Sequence, residues 1–237
     1  MKTAKLNFSI QKQLLNCLAD KLEGCYLVGG TALALYYFRH RESHDLDFFT
    51  GSFSQKEIAE AMSSLRPAGI RTELIAESAD ARFARTAAYM ATNSKGKTCK
   101  IDFVEDLTGL IQPTRAIDGI HVASLDDIYL KKLYAVAGHT RTQDDLGRNI
   151  TAGGRQEAKD FYDLYCLSSI STPLAQFVSR YGTPVIKEGV IRWYRTFDRV
   201  TIKTGLLDLV AGKMIDFRQI ERHFKKEIDA LLLEEIG

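Results

Sequence analysis

GGTALALYYFRHRESHDLDFFT, residues 29–50, sets two glycines before an apolar run and two acids around Leu46 in a segment that continues Phe48-Phe49-Thr50. Strand side chains alternate faces, so Asp45 and Asp47 share one face while Leu46 and Phe48 share the other. Two carboxylates at i and i+2 lie roughly 7 Å apart along a strand and repel each other unless something positive sits between them. Either both acids face open water, or a divalent cation reverses the sign of the interaction. Mg²⁺ favours a few carboxylates completed by phosphate oxygens and water. The apolar continuation argues for an internal strand.

Upstream, Ile10, Leu14, Leu15, Leu18 and Leu22 have helical spacing, with Gly24 placed to stop the helix. "CYLV" reads as a short buried strand running into Gly29-Gly30, and "TALALYYF" as a helix that Thr31 caps. A strand ending in Gly-Gly before a helix lets the backbone approach a ligand closely, and the helix N-terminus favours an anion. An anion cradle ahead of an acid pair suits a nucleoside triphosphate with Mg²⁺.

Downstream, residues 55–66 form an amphipathic helix ended by Pro67 and Gly69, and "IRTELIAES" alternates as a strand. "ARFARTAAYMAT" and "KTCKIDFVED" flank the polar turn "NSKGK" and predict a hairpin. There Asp102 alternates with Ile101 and Phe103. It either completes a three-carboxylate site or is an edge acid facing water. "DGIHVAS" is one more short strand.

After residue 122 the pattern turns helical. "SLDD" is a capping box before "IYLKKLYAVAG", and "RQEAKDFYDLYCLSSI" is a long helix. Further helices are expected over 174–180, 184–198 and 205–235. The polar segment "GHTRTQDDLGRNITAGG" predicts a mobile loop. The expected fold is α/β (α+β): a small mixed sheet with flanking helices over 1–122, then a helical bundle over 123–237, with the active site between them.

Net charge is +2, spread evenly along 237 residues, so bulk charge announces no nucleic-acid partner and leaves a local patch open. No apolar run approaches the roughly 20 residues of a membrane helix. The first residues lack a signal-peptide core and read as the edge of a helix. Cys17, Cys25, Cys99 and Cys166 show neither CxxC pairing nor metal-ligand spacing, as expected of free thiols in a reducing cytoplasm.

The ordered set Gly29 to Leu33, Arg41 to Phe49, Asp102, Asp127 to Lys132 and "GGRQEAKDFYDLY" (153–165) resembles the nucleotidyltransferase superfamily of DNA polymerase beta. It is most similar to the AbiEii/AbiGii toxin branch, over roughly residues 20–170. The resemblance implies transfer of NMP from an NTP to a hydroxyl, with two Mg²⁺ ions. Gly29, Gly30 and Thr31 would hold the triphosphate, and Asp45, Asp47 and Asp102 the metals, with Asp102 also available as base. Lys132 would reach the phosphates or the nucleotide, and Asp160 would shape the nucleotide pocket. Implied partners are an RNA acceptor, such as a tRNA 3′ end, and a cognate antitoxin. A protein hydroxyl is the alternative acceptor, and a non-catalytic NTP-binding module the alternative class. Thr31 stands where the superfamily usually has Ser, and the loop from His139 to Gly154 is longer than usual.

Other polar residues leave choices open. Lys131 and Lys132 lie about 100° apart on one helix, so only one of them can face the cleft, the alternative being that both are surface lysines. The family register favours Lys132. Asp163 is expected to pair with Arg155 or Lys159. Arg39, His40, Arg41 and His44 either touch a polyanion or form a solvated loop with one structural arginine. Ser43 reads as a turn hydroxyl, and Tyr162, Tyr165, Trp193 and Tyr194 as core aromatics.

Overall fold

The structure, a computed structural model, describes residues 6–80, 83–138, 140–143, 149–152 and 154–234. The chain forms two compact units that part between Asp127 and Ile128.

In the N-terminal unit, α1 (Ser9–Leu18) buries Ile10, Leu14, Leu15 and Leu18. β1 (Cys25–Val28) is buried throughout and runs into α2 (Gly29–Ala32), which continues as a π-helical turn over Leu33–Tyr37. β2 (Leu46–Thr50) follows, then α3 (Gln55–Ser63), N-capped by Ser54, whose hydroxyl accepts from the Glu57 amide. The remaining strands are β3 (Arg71–Ser78), β4 (Thr86–Thr92), β5 (Thr98–Glu105), β6 (Arg115–Ile117) and β7 (Ile120–Val122).

These strands make one mixed seven-stranded sheet in the order β3-β4-β5-β2-β1-β7-β6. β2 runs parallel to β5, and β1 parallel to β7; the other pairings are antiparallel. Parallel neighbours need crossover connections, and α3 with the β3–β4 hairpin supplies the one between β2 and β5. Leu46, Phe48, Ile101 and Phe103 form the buried face of β2 and β5, with Phe48 and Phe103 stacked at 5.5 Å between ring centroids. The opposite face of these two strands carries Asp47 and Asp102, each only partly buried.

α4 (Leu125–Ala137) opens on one half of the expected capping box: Ser124 Oγ accepts from the Asp127 amide at 3.1 Å. The Asp127 carboxylate also accepts from Ser124 Oγ at 2.6 Å and from the Gln112 amide at 3.3 Å.

The C-terminal unit continues with β8 (Thr140–Gln143), β9 (Asn149–Ala152), α5 (Ala158–Ile170), α6 (Leu174–Tyr181), α7 (Pro184–Thr196), α8 (Arg199–Asp208) and α9 (Phe217–Leu233). Phe161 on α5 is at the centre of its core, with ring centroids 4.9 Å from Phe197, 4.9 Å from Phe224 and 5.5 Å from Trp193. Tyr162, Trp193 and Tyr194 are buried, as core aromatics should be; Tyr165 is half-buried.

Four local expectations need correction. Thr31 does not cap α2, which begins at Gly29; its hydroxyl bonds the Asp45 carbonyl instead. The segment expected to be a mobile loop holds the antiparallel β8–β9 pair; its residues 139, 144–148 and 153 lie outside the described residues. The stretch expected as one helix over 205–235 holds the last turn of α8 and all of α9, which starts afresh because Asp216 accepts two backbone amides as its N-cap. β6 went unseen, since three residues give no readable period; Asp118-Gly119, both at positive φ, turns it onto β7.

Candidate functional site

The acid-bearing face of the sheet begins at Gly29. This glycine has φ +73°, and a Cβ on it would collide with the Asp47 carboxylate, lying 3.0 Å from Cγ and 3.2 Å from Cβ. Both the backbone angle and the close approach therefore demand glycine. Gly29→Ala is expected to lose about 1–3 kcal/mol of stability and to push Asp47 aside, abolishing transfer. Chemical denaturation beside a transfer assay checks both.

Gly30 is crowded from the other side. A Cβ there would meet the Arg41 guanidinium, with Cζ at 3.3 Å, and Ser43 Oγ at 3.2 Å. Arg41 is 3% exposed and donates to the Glu42 carbonyl at 2.7 Å. His40 and Ser43 are also buried, whereas Arg39 and His44 are exposed, so the segment is solvated at its ends around a buried arginine. Gln11 on α1 holds its far end, donating to the carbonyls of Ser43 at 2.9 Å and His44 at 3.2 Å. The Asp47 carboxylate and the Arg41 guanidinium thus pack against successive glycines of one turn.

Asp47 pairs in register with Asp102 across the parallel β2–β5 ladder, so their side chains leave the sheet on the same side. Asp45 lies one residue before β2, partly buried, its carbonyl held by Thr31. Ala88 stands opposite Asp102 on β4, where a small side chain leaves the carboxylate room.

The charges of all three acids converge on β5. Burial, and then Asp45, Asp47 and Asp102, push the Cys99 thiol up to about 12. Cys99 should therefore stay a thiol at pH 8 and resist iodoacetamide, while the half-exposed Cys17 alkylates. Peptide mass spectrometry of the native protein checks the order. Lys100 is raised by its hydrogen bond to Asp102 and by the fields of Asp102, Asp45 and Asp47, against a burial effect that lowers it.

The donor chemistry fits a hard divalent cation: carboxylate oxygens on a half-open face beside a glycine turn. In the structure, however, no three His, Cys, Asp or Glu among the described residues are gathered closely enough to hold a metal. The Asp102 carboxylate is engaged by Lys100, with Nζ 2.7 Å from Oδ1 and 2.8 Å from Oδ2. Sequence reading passed over this lysine, although its spacing of two from Asp102 places it on the acids' side of β5.

The C-terminal unit holds the other candidates. Lys132 is 6% exposed, and its Nζ lies 2.6 Å from Asp160 Oδ1 and 2.7 Å from Asp163 Oδ2. Both carboxylates are fully buried, and Arg155 Nε approaches Asp160 Oδ2 at 3.1 Å. Of the two adjacent lysines, Lys132 is the buried one and Lys131 is half-buried. Asp163 pairs with Lys132, while Arg155 approaches Asp160 and Lys159 approaches Glu157. Lys159 was an expected partner because i, i+4 neighbours are visible in sequence, whereas a lysine arriving from α4 is not.

A family model described as "Nucleotidyl transferase AbiEii toxin, Type IV TA system" matches residues 13–232. Among solved structures, JHP933 from Helicobacter pylori aligns with a TM-score of 0.60 at 17% identity, covering 98% of this chain and 97% of its own. MenT4, a nucleotidyltransferase toxin from Mycobacterium tuberculosis, aligns with a TM-score of 0.51 at 16% identity, covering 94% and 82% respectively. At these identities the likeness is one of fold. The comparison with curated proteins finds no match. No described helix is long and apolar enough to cross a membrane.

Proposed function

We propose that this chain, which belongs to the AbiEii nucleotidyl transferase toxin family, moves NMP from an NTP to a hydroxyl on RNA, such as a tRNA 3′ end, in a Mg²⁺-dependent reaction. Family membership makes it a nucleotidyltransferase of the toxin–antitoxin class. The acceptor, the metal and the residue roles are the proposed part. The observation that supports the metal and the residue roles is the in-register pairing of Asp47 with Asp102 on the face that starts at the Gly29 turn, while the acceptor rests on the family reading.

In this reading Gly29, Gly30 and Thr31 hold the triphosphate, with Arg41 behind the turn neutralising its charge. Asp45, Asp47 and Asp102 hold the two divalent ions, which would supply charge neutralisation for an in-line displacement at the α-phosphorus. Asp102 takes the proton of the attacking hydroxyl, and pyrophosphate leaves. Lys132 and Asp160, locked to each other, are assigned to nucleotide binding. The Thr31 hydroxyl fixes the Asp45 carbonyl, so the turn and the acid segment keep their relative position. A cognate antitoxin and a cytoplasmic setting follow from the same family reading.

The acceptor is tested by incubating the protein with each α-labelled NTP together with total RNA and total protein. Label in the RNA fraction supports the proposal. Label confined to protein replaces it with protein NMPylation, and nucleotide binding without any labelled product replaces it with a binding module.

A further inference from the structure

Lys100 is the residue whose placement the reaction scheme leaves unexplained. It lies two residues before Asp102 on β5, so both side chains leave the sheet on the same side. Its ammonium meets both carboxylate oxygens, and it also feels the charge of Asp45 and Asp47. The lysine side chain is 41% exposed and that of Asp102 22%, so the pair is open to solvent and the amine has room to turn away. An exposed pair of this kind is weak and exchangeable.

We propose that Lys100 is a resident counter-ion: it occupies the cation side of Asp102 in the metal-free protein, holds the carboxylate in place, and gives way when a divalent ion binds. The inference rests on the acids being the metal site. A chain with no metal bound otherwise carries three like charges on one patch. The ammonium offsets part of that repulsion and keeps Asp102 aimed at its neighbours. Lys100 is thus a positioning residue, acting through Asp102.

The consequence is competition, and it has a sign. Lys100→Met removes the rival cation, so Mn²⁺ alone, titrated by electron paramagnetic resonance, should bind about three- to tenfold more tightly than to the wild type. The metal-free variant should melt lower than the wild type, with the gap closing as Mn²⁺ is added. Lys100→Arg puts a two-pronged donor on the same carboxylate, which holds it harder. That variant should bind Mn²⁺ more weakly than the wild type. A merely structural lysine would give no such opposed pair, because arginine would behave like lysine and methionine would weaken binding. Equal Mn²⁺ affinity in all three proteins, or weaker binding by Lys100→Met, overturns the role of Lys100 and leaves the metal site standing. If no protein binds Mn²⁺, or Asp47→Asn binds it as well as the wild type does, the metal site itself is lost, and Lys100 with it.

Discussion

Lys132→Met should cost the fold about 3 kcal/mol or more, read as a drop in the denaturation midpoint at unchanged slope. The reason is what is left behind. Asp160 and Asp163 are fully buried, and Lys132 lies within 2.7 Å of each. Removing the ammonium leaves Arg155 to serve Asp160 and takes the lysine from Asp163, so a desolvated negative charge loses a counter-charge in direct contact with it. Methionine keeps most of the side-chain volume, so packing loss contributes little. The double variant Lys132→Met/Asp163→Asn should recover about half of the loss, because the second change removes that negative charge as well. A double variant no better than the single one would mean that Lys132 stabilises by packing and not by charge.

Asp47→Asn should behave in the opposite way, losing activity and keeping the fold. Transfer should fall by about 10²–10³-fold or more, since the change keeps shape and removes one of the charges on which cation binding depends. Its melting temperature should stay close to that of the wild type, because Asp47 is only half-buried. The amide has the size of the carboxylate it replaces and still fits over Gly29, so the turn is undisturbed. A variant that both transfers normally and melts normally would remove Asp47 from the chemistry.

The acid face was legible in sequence because period-two alternation is a local property: Leu46, Phe48, Ile101 and Phe103 mark one face, and the aspartates fall on the other. The Gly-Gly turn was legible for a similar reason, since few residues tolerate φ near +73°. Buried charge was harder to read. Arg41, Lys132 and Asp163 lie in the interior only because partners from elsewhere in the chain meet them, and a charged letter in a sequence defaults to solvent. The β8–β9 pair escaped notice because its threonine-rich strands show no apolar alternation. The split between α8 and α9 escaped because helical spacing was followed past Asp216, whose capping role depends on backbone geometry. Lys100 was overlooked for want of applying to a base the face rule already applied to the acids.

Nucleotidyl transfer is distinguished most directly from other uses of an NTP by which phosphate moves. The wild-type protein is incubated with RNA and Mg²⁺, once with α-labelled and once with γ-labelled NTP, and acceptor label and free pyrophosphate are counted together. The expected result is α-label on the RNA in amounts equal to the pyrophosphate released, no γ-label on any acceptor, and loss of both signals in Asp47→Asn. Movement of the γ-label to the acceptor, or undiminished transfer by Asp47→Asn, would contradict nucleotidyl transfer at the Asp47–Asp102 face.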